Sequence, residues 1–141
     1  MRVVTSIVAF GIAVLLTGCG YLKQVDVVQE QGITLDVTPE GPVVLSSVSA
    51  YQVGEHLLVS GSIRQKEATS PFSGWVQVTV LHRGTVFEAS CDRVWPKAAP
   101  EPRWHIPANA GASFFDMTLP KVPPPGAVIR VTGSAQASLC T

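Results

Sequence analysis

Apolar and polar residues alternate with a period of two along most of the chain beyond residue 30. Ile33-Thr34-Leu35-Asp36-Val37 has the spacing of a half-buried strand. Thr38-Pro39-Glu40-Gly41-Pro42 then breaks the pattern. A strand is predicted from Val43 to Tyr51, with a turn at Val53-Gly54-Glu55. The next strand puts Leu57, Val59, Gly61 and Ile63 on one face and Ser60, Ser62 and Arg64 on the other, so residues 43–64 read as a hairpin. A polar loop follows from Lys66 to Gly74. Val76, Val78 and Val80 alternate with Gln77 and Thr79, and Arg83-Gly84 supplies a tight turn in which glycine takes positive φ. The return strand, Thr85 to Cys91, is predicted to direct Phe87, Ala89 and Cys91 inward, with Glu88 and Ser90 outward.

A long irregular stretch, Val94 to Ala112, carries Pro96, Pro100, Pro102 and Pro107. Loops of more than about 12–15 residues are uncommon in compact domains and are often functional or disordered. Phe115, Met117 and Leu119 mark another strand, flanked by Asp116 and Thr118. Pro123-Pro124-Pro125 stiffens the next connection. Val128 to Thr132 and Ala135 to Leu139 complete the set. Seven or eight short strands separated by turn signals, with no amphipathic helix, predict an all-β fold. The expected form is a single antiparallel β-sandwich of immunoglobulin-like or fibronectin-like type, with a small β-barrel as the alternative.

The N-terminus follows a different pattern. Arg2 precedes a mostly apolar run, Val3 to Leu16, which is short of the roughly 20 residues a spanning helix needs. That is the layout of a secretory signal, which would be helical only in the precursor. It closes on Leu16-Thr17-Gly18-Cys19, which resembles the lipobox of bacterial lipoproteins. The resemblance covers residues 2–19. It implies removal of residues 1–18, a diacylglyceryl group on Cys19, and a further acyl chain, such as palmitate, on the new N-terminus. Two or more chains give lasting membrane attachment where one does not. Gly20, rather than Asp, follows the cysteine, which resembles sorting to the periplasmic face of the outer membrane. The expected organisation is a signal peptide at 1–18, a lipidated tether at 19–30 and a β-sandwich domain at 31–141. Val25, Val27 and Val28 are available to pair as a first strand.

Ten basic and ten acidic side chains balance, and loss of Arg2 with the signal leaves the remainder one charge negative. No clustered Lys/Arg face points to nucleic acid. With Cys19 committed to lipid, Cys91 and Cys140 are an even pair in an exported protein, which reads as a disulfide. Strict alternation puts Cys140 on the outer face of its strand. An inward bridge to Cys91 therefore needs a bulge at Gly133 to reset the register.

No constellation for catalysis is present. The serines lie outside any Gly-x-Ser-x-Gly elbow. His56 and His82 fall beside hairpin ends, and the carboxylates Asp36, Glu88, Asp92 and Asp116 are scattered. No ligand spacing suggests a metal, and no cofactor is expected. The segment that stands out is 93–105, with Arg93, Trp95, Arg103, Trp104 and His105 as candidate binding residues, since Trp and Arg are enriched at hot spots. The other arrangement is a loop whose tryptophans cap the core. The expectation is a non-enzymatic, lipid-anchored cell-envelope lipoprotein, serving as a protein-binding adaptor or structural component of the periplasm. The alternative is a small-ligand or cell-wall glycan binding module that uses this loop. Open aromatic faces beside a groove favour the second.

Overall fold

The computed structural model describes residues 23–67, 72–95 and 111–140. Residues 1–22, with the signal, the lipobox and Cys19, lie outside them, as does 96–110. Two four-stranded sheets face each other as a β-sandwich. One sheet is β1 (Gln24–Asp26), β3 (Val43–Val53), β4 (His56–Gln65) and β7 (Ser113–Leu119), in that order. The other is β2 (Thr34–Pro39), β8 (Val128–Ser134), β5 (Gly74–His82) and β6 (Thr85–Val94). Every pairing is antiparallel except β2 with β8, which run parallel from Thr34↔Val128 to Pro39↔Gly133. The long sequence separation of these two strands makes a parallel pair possible, since no hairpin has to join them.

The core follows the alternation read from the sequence. Leu57, Val59 and Ile63 of β4 and Phe115, Met117 and Leu119 of β7 are buried from one sheet. Val76, Val78 and Val80 of β5 and Ile129 and Val131 of β8 meet them from the other. The predicted hairpins at Gly54-Glu55 and Arg83-Gly84 are both present.

Val25 pairs in β1, but Val27 and Val28 turn into a one-turn helix, α1 (Val27–Gln31). The reason is local chemistry. The Asp26 carboxylate accepts from the N–H groups of Val28 and Gln29 at 3.0 and 3.1 Å, capping the helix start. Gly32, in the left-handed conformation at φ 64°, closes the helix. Val27 and Ile33 are fully buried, so residues 24–33 plug one end of the sandwich.

Two bulges set which residues face the core. In β3 the register shifts between Ser46 and Ser49, with Ser47 at φ 52°. Leu45 lies opposite the buried Ile63 before it and Ala50 opposite the buried Val59 after it, so the inward positions pass from odd to even. In β6, Val80 pairs with Glu88 but Leu81 pairs with Val86, leaving Phe87 as the extra residue. One inserted residue flips every side chain beyond it. Phe87 packs against the core as predicted, but the predicted inward direction of Ala89 and Cys91 is corrected. Cys91 lies opposite Gln77 and Ala89 opposite Thr79 on the outer face, while Glu88, Ser90 and Asp92 lie opposite the buried Val80, Val78 and Val76.

The bridge forms, but outside the core. Residues 135–139 are not a strand, because Ala137–Cys140 is a 3-10 helix packed on β5 and β8. β8 runs without a bulge at Gly133, and both cysteines meet on the outer surface with their Cα atoms 5.7 Å apart. Cys91 and Cys140 are thus joined because both face outward, so the reset anticipated at Gly133 is not needed.

Candidate functional site

β6 and β7 are the edge strands of opposite sheets, and they flank one open side of the sandwich. The inverted face of β6 keeps this side from closing. A strand deep in a sandwich needs apolar inward residues, but here the inward row is Glu88, Ser90 and Asp92, which stays partly or fully in water. A cleft of about 340 Å³ results, lined by Asp92, Arg93 and Trp95 from the β6 side and Phe114 and Asp116 from β7. Its floor is Val76, Val94, Phe115 and Met117.

Arg93 and Trp95 are brought together as the sequence reading grouped them. They sit two residues apart, and the Arg93 guanidinium lies over the Trp95 ring at 3.8 Å from its centroid. Arg93 is also the register partner of Trp75, whose ring centroid is 6.0 Å from the guanidinium. One cation thus bridges two indoles. Trp95 is 61% exposed, so it does not cap the core. Arg103, Trp104 and His105 lie outside the described residues, and so does any role for them in this cluster.

On the facing edge, strict alternation in β7 turns Phe114 and Asp116 out while Phe115 and Met117 turn in. Phe114 is 57% exposed, and with Asp116 it also borders a second depression over Ser47, Ser60 and Gly61. Neither Asp92 nor Asp116 has a hydrogen-bond or ion-pair partner among the described residues. The upper end of the cleft is held by polar contacts: Ser113 Oγ donates to the Phe72 carbonyl at 2.8 Å, and Phe72 N–H donates to the Gly111 carbonyl at 3.1 Å. These bonds tie the loop after β4 to the start of β7 and fix where Phe114 emerges.

The sequence reading missed Trp75 and Phe114. Trp75 precedes the valine run of β5 and becomes part of the site only through its cross-strand partner. Phe114 is the outward half of a Phe-Phe pair whose inward half alone was read. Among the described residues no group of three His, Cys, Asp or Glu side chains could hold a metal ion. No helix among them is long and apolar enough to cross a membrane. In comparisons with known proteins, the chain matches no protein-family model, no curated protein and no solved structure.

Proposed function

We propose that the chain is a lipid-anchored, non-enzymatic component of a bacterial cell envelope, attached through Cys19 at the periplasmic face of the outer membrane. Its sandwich serves there as a protein-binding adaptor or structural component. The anchor rests on the lipobox at residues 16–19. The geometric observation that supports a binding role is polarity. Gln24 pairs with Val53 beside the β3–β4 turn, so the chain enters at that end of the sandwich. Trp95 follows Val94, which pairs with Gly74 at the opposite end, where β3 begins with Val43↔Gln65. The 11 residues of β3 span about 35 Å at ~3.3 Å each. A protein held by residue 19 would present its exposed aromatics away from the bilayer.

The glycan-binding alternative is favoured by one observation, the exposure of Trp95 at the mouth of an open cleft. The anchor is tested by labelling cells with a clickable palmitate analogue. Wild-type protein is expected to incorporate label and lose residues 1–18, whereas Cys19→Ser retains them unlabelled. An unlabelled wild-type protein overturns the anchor. For the adaptor role, a photo-crosslinking residue at position 114 is expected to capture one defined envelope protein. Recovery of the chain alone overturns that role.

A further inference from the structure

Building on the glycan-binding reading of the β6–β7 cleft, we propose that its ligand is an uncharged saccharide, with one sugar ring seated on the free face of Trp95 and its hydroxyls held by Asp92, Asp116 and Arg93. Four observations converge on this chemistry.

The first is the platform. A pyranose presents a face of C–H bonds that packs on an aromatic ring, and the match needs an indole that is both open and fixed. The Arg93 guanidinium, 3.8 Å from the ring centroid, occupies one face of Trp95 and restrains the ring. The side chain nonetheless remains 61% exposed. Holding a large apolar surface in water is unfavourable, and a rigid platform loses little further entropy on binding.

The second is hydrogen-bonding capacity. Sugar hydroxyls donate to carboxylates and accept from guanidinium groups. Asp92 and Asp116 line opposite walls of the cleft, and neither is engaged by another described residue. Arg93 also lines the cleft, carries N–H donors, and forms no ion pair with a described carboxylate.

The third is charge. Among the described residues that line it, two carboxylates against one guanidinium leave the cleft negative, which disfavours phosphorylated or uronic-acid polymers as well as nucleic acid. The fourth is size. About 340 Å³ lies at the small end of the ~300–1,000 Å³ that small-molecule sites occupy. That is a site for a short stretch of sugar rings. A partner strand would instead hydrogen-bond along the backbone of an edge and would not call on these side chains.

The test is titration of the full chain in detergent micelles, followed by calorimetry and tryptophan fluorescence. The probes are a β-1,4-linked N-acetylglucosamine tetramer, cellotetraose and, as an anionic control, tetragalacturonate. Saturable binding of a neutral tetramer with a change in tryptophan emission is expected. Trp95→Ala should weaken it about tenfold or more, as truncation of an aromatic hot spot does, and Asp116→Asn should also weaken it. Thr118→Ala, further along the same strand, should leave it unchanged. Far-ultraviolet circular dichroism and the intact disulfide establish that each variant is folded. No binding of either neutral tetramer at about 10 mM, where a useful site would be saturated, overturns the proposal. So does binding that is indifferent to Trp95→Ala. Preferential binding of tetragalacturonate overturns the uncharged-sugar assignment but leaves a ligand site in the cleft. Silence toward all three probes, together with a protein crosslinked at position 114, removes the glycan-binding reading itself.

Discussion

Replacing Cys91 and Cys140 together by alanine should cost about 4 kcal/mol of stability while leaving the native fold in place. The bridge spans 49 residues, and the loop-closure relation then gives about 14 cal/mol/K of entropy removed from the unfolded chain, about 4 kcal/mol at 25 °C. This number should account for most of the effect because of where the bridge lies. Cys91 faces outward opposite Gln77, so removing its sulfur opens no cavity between the sheets. A buried bridge would add a packing cost that this one lacks. Against a total stability of about 5–15 kcal/mol for a domain of this kind, the double variant should stay folded but close to threshold. Urea unfolding followed by tryptophan fluorescence reads the change. With m of about 1–3 kcal/mol/M, the midpoint should fall by at least about 1.3 M. The aromatic near-ultraviolet circular dichroism of the native state should persist, apart from the bridge's own contribution. A loss under about 1 kcal/mol would refute the chain-entropy account. A variant with no native near-ultraviolet signal even in stabilising osmolyte would show that the core depends on the clasp.

Further substitutions discriminate among the contacts described. At Gly74 an added Cβ would lie 2.6 Å from the Ser134 carbonyl oxygen and against the buried ring of Phe72. Gly74→Ala should therefore cost about 2–3 kcal/mol by chemical denaturation. Gly133→Ala meets the tip of Ile63 at 2.6 Å and Leu45 at 3.3 Å, and because these are side-chain ends it should cost less, about 1–2 kcal/mol; the reverse order would contradict this packing. Ser113→Ala removes the 2.8 Å bond to the Phe72 carbonyl and should destabilise by about 1–2 kcal/mol in the same assay. The Arg130–Asp36 pair at 3.0 Å is 49% and 41% exposed, so Asp36→Asn should change the unfolding free energy by less than about 0.5 kcal/mol.

Period-two alternation was sufficient to identify the buried faces of β4, β5, β7 and β8, because each is a regular strand with one side against the other sheet. It failed in β6. The extra residue at Phe87 inverts the face, and nothing in Thr85 to Val94 marks where the insertion falls, since it is set by pairing with Leu81. The direction of Cys91 was lost for that reason, although its partnership with Cys140 was legible from parity and compartment. Val27 and Val28 were legible as apolar but not as helical. Asp26 and Gly32 bracket them as caps, a signal that was present and outweighed by the valines. At the candidate site Arg93 and Trp95 stood out by residue type and proximity. Trp75 and Phe114 did not, because their relevance arises from register across strands and from which member of an adjacent pair turns outward.

The position of β8 has a consequence for how the protein matures. This strand fills an interior slot between β2 and β5, and its parallel partner was made about 94 residues earlier, the separation of Asp36 and Arg130. As the polypeptide emerges vectorially, the first sheet can assemble from β1, β3, β4 and β7, but the second has a gap until β8 is delivered. During that interval one edge of β5 has no strand beside it, and β2 has no neighbour within its sheet. Completion of the sheet is a late, non-local step, of the kind that slows folding, so the nascent chain depends on protection from aggregation until β8 arrives.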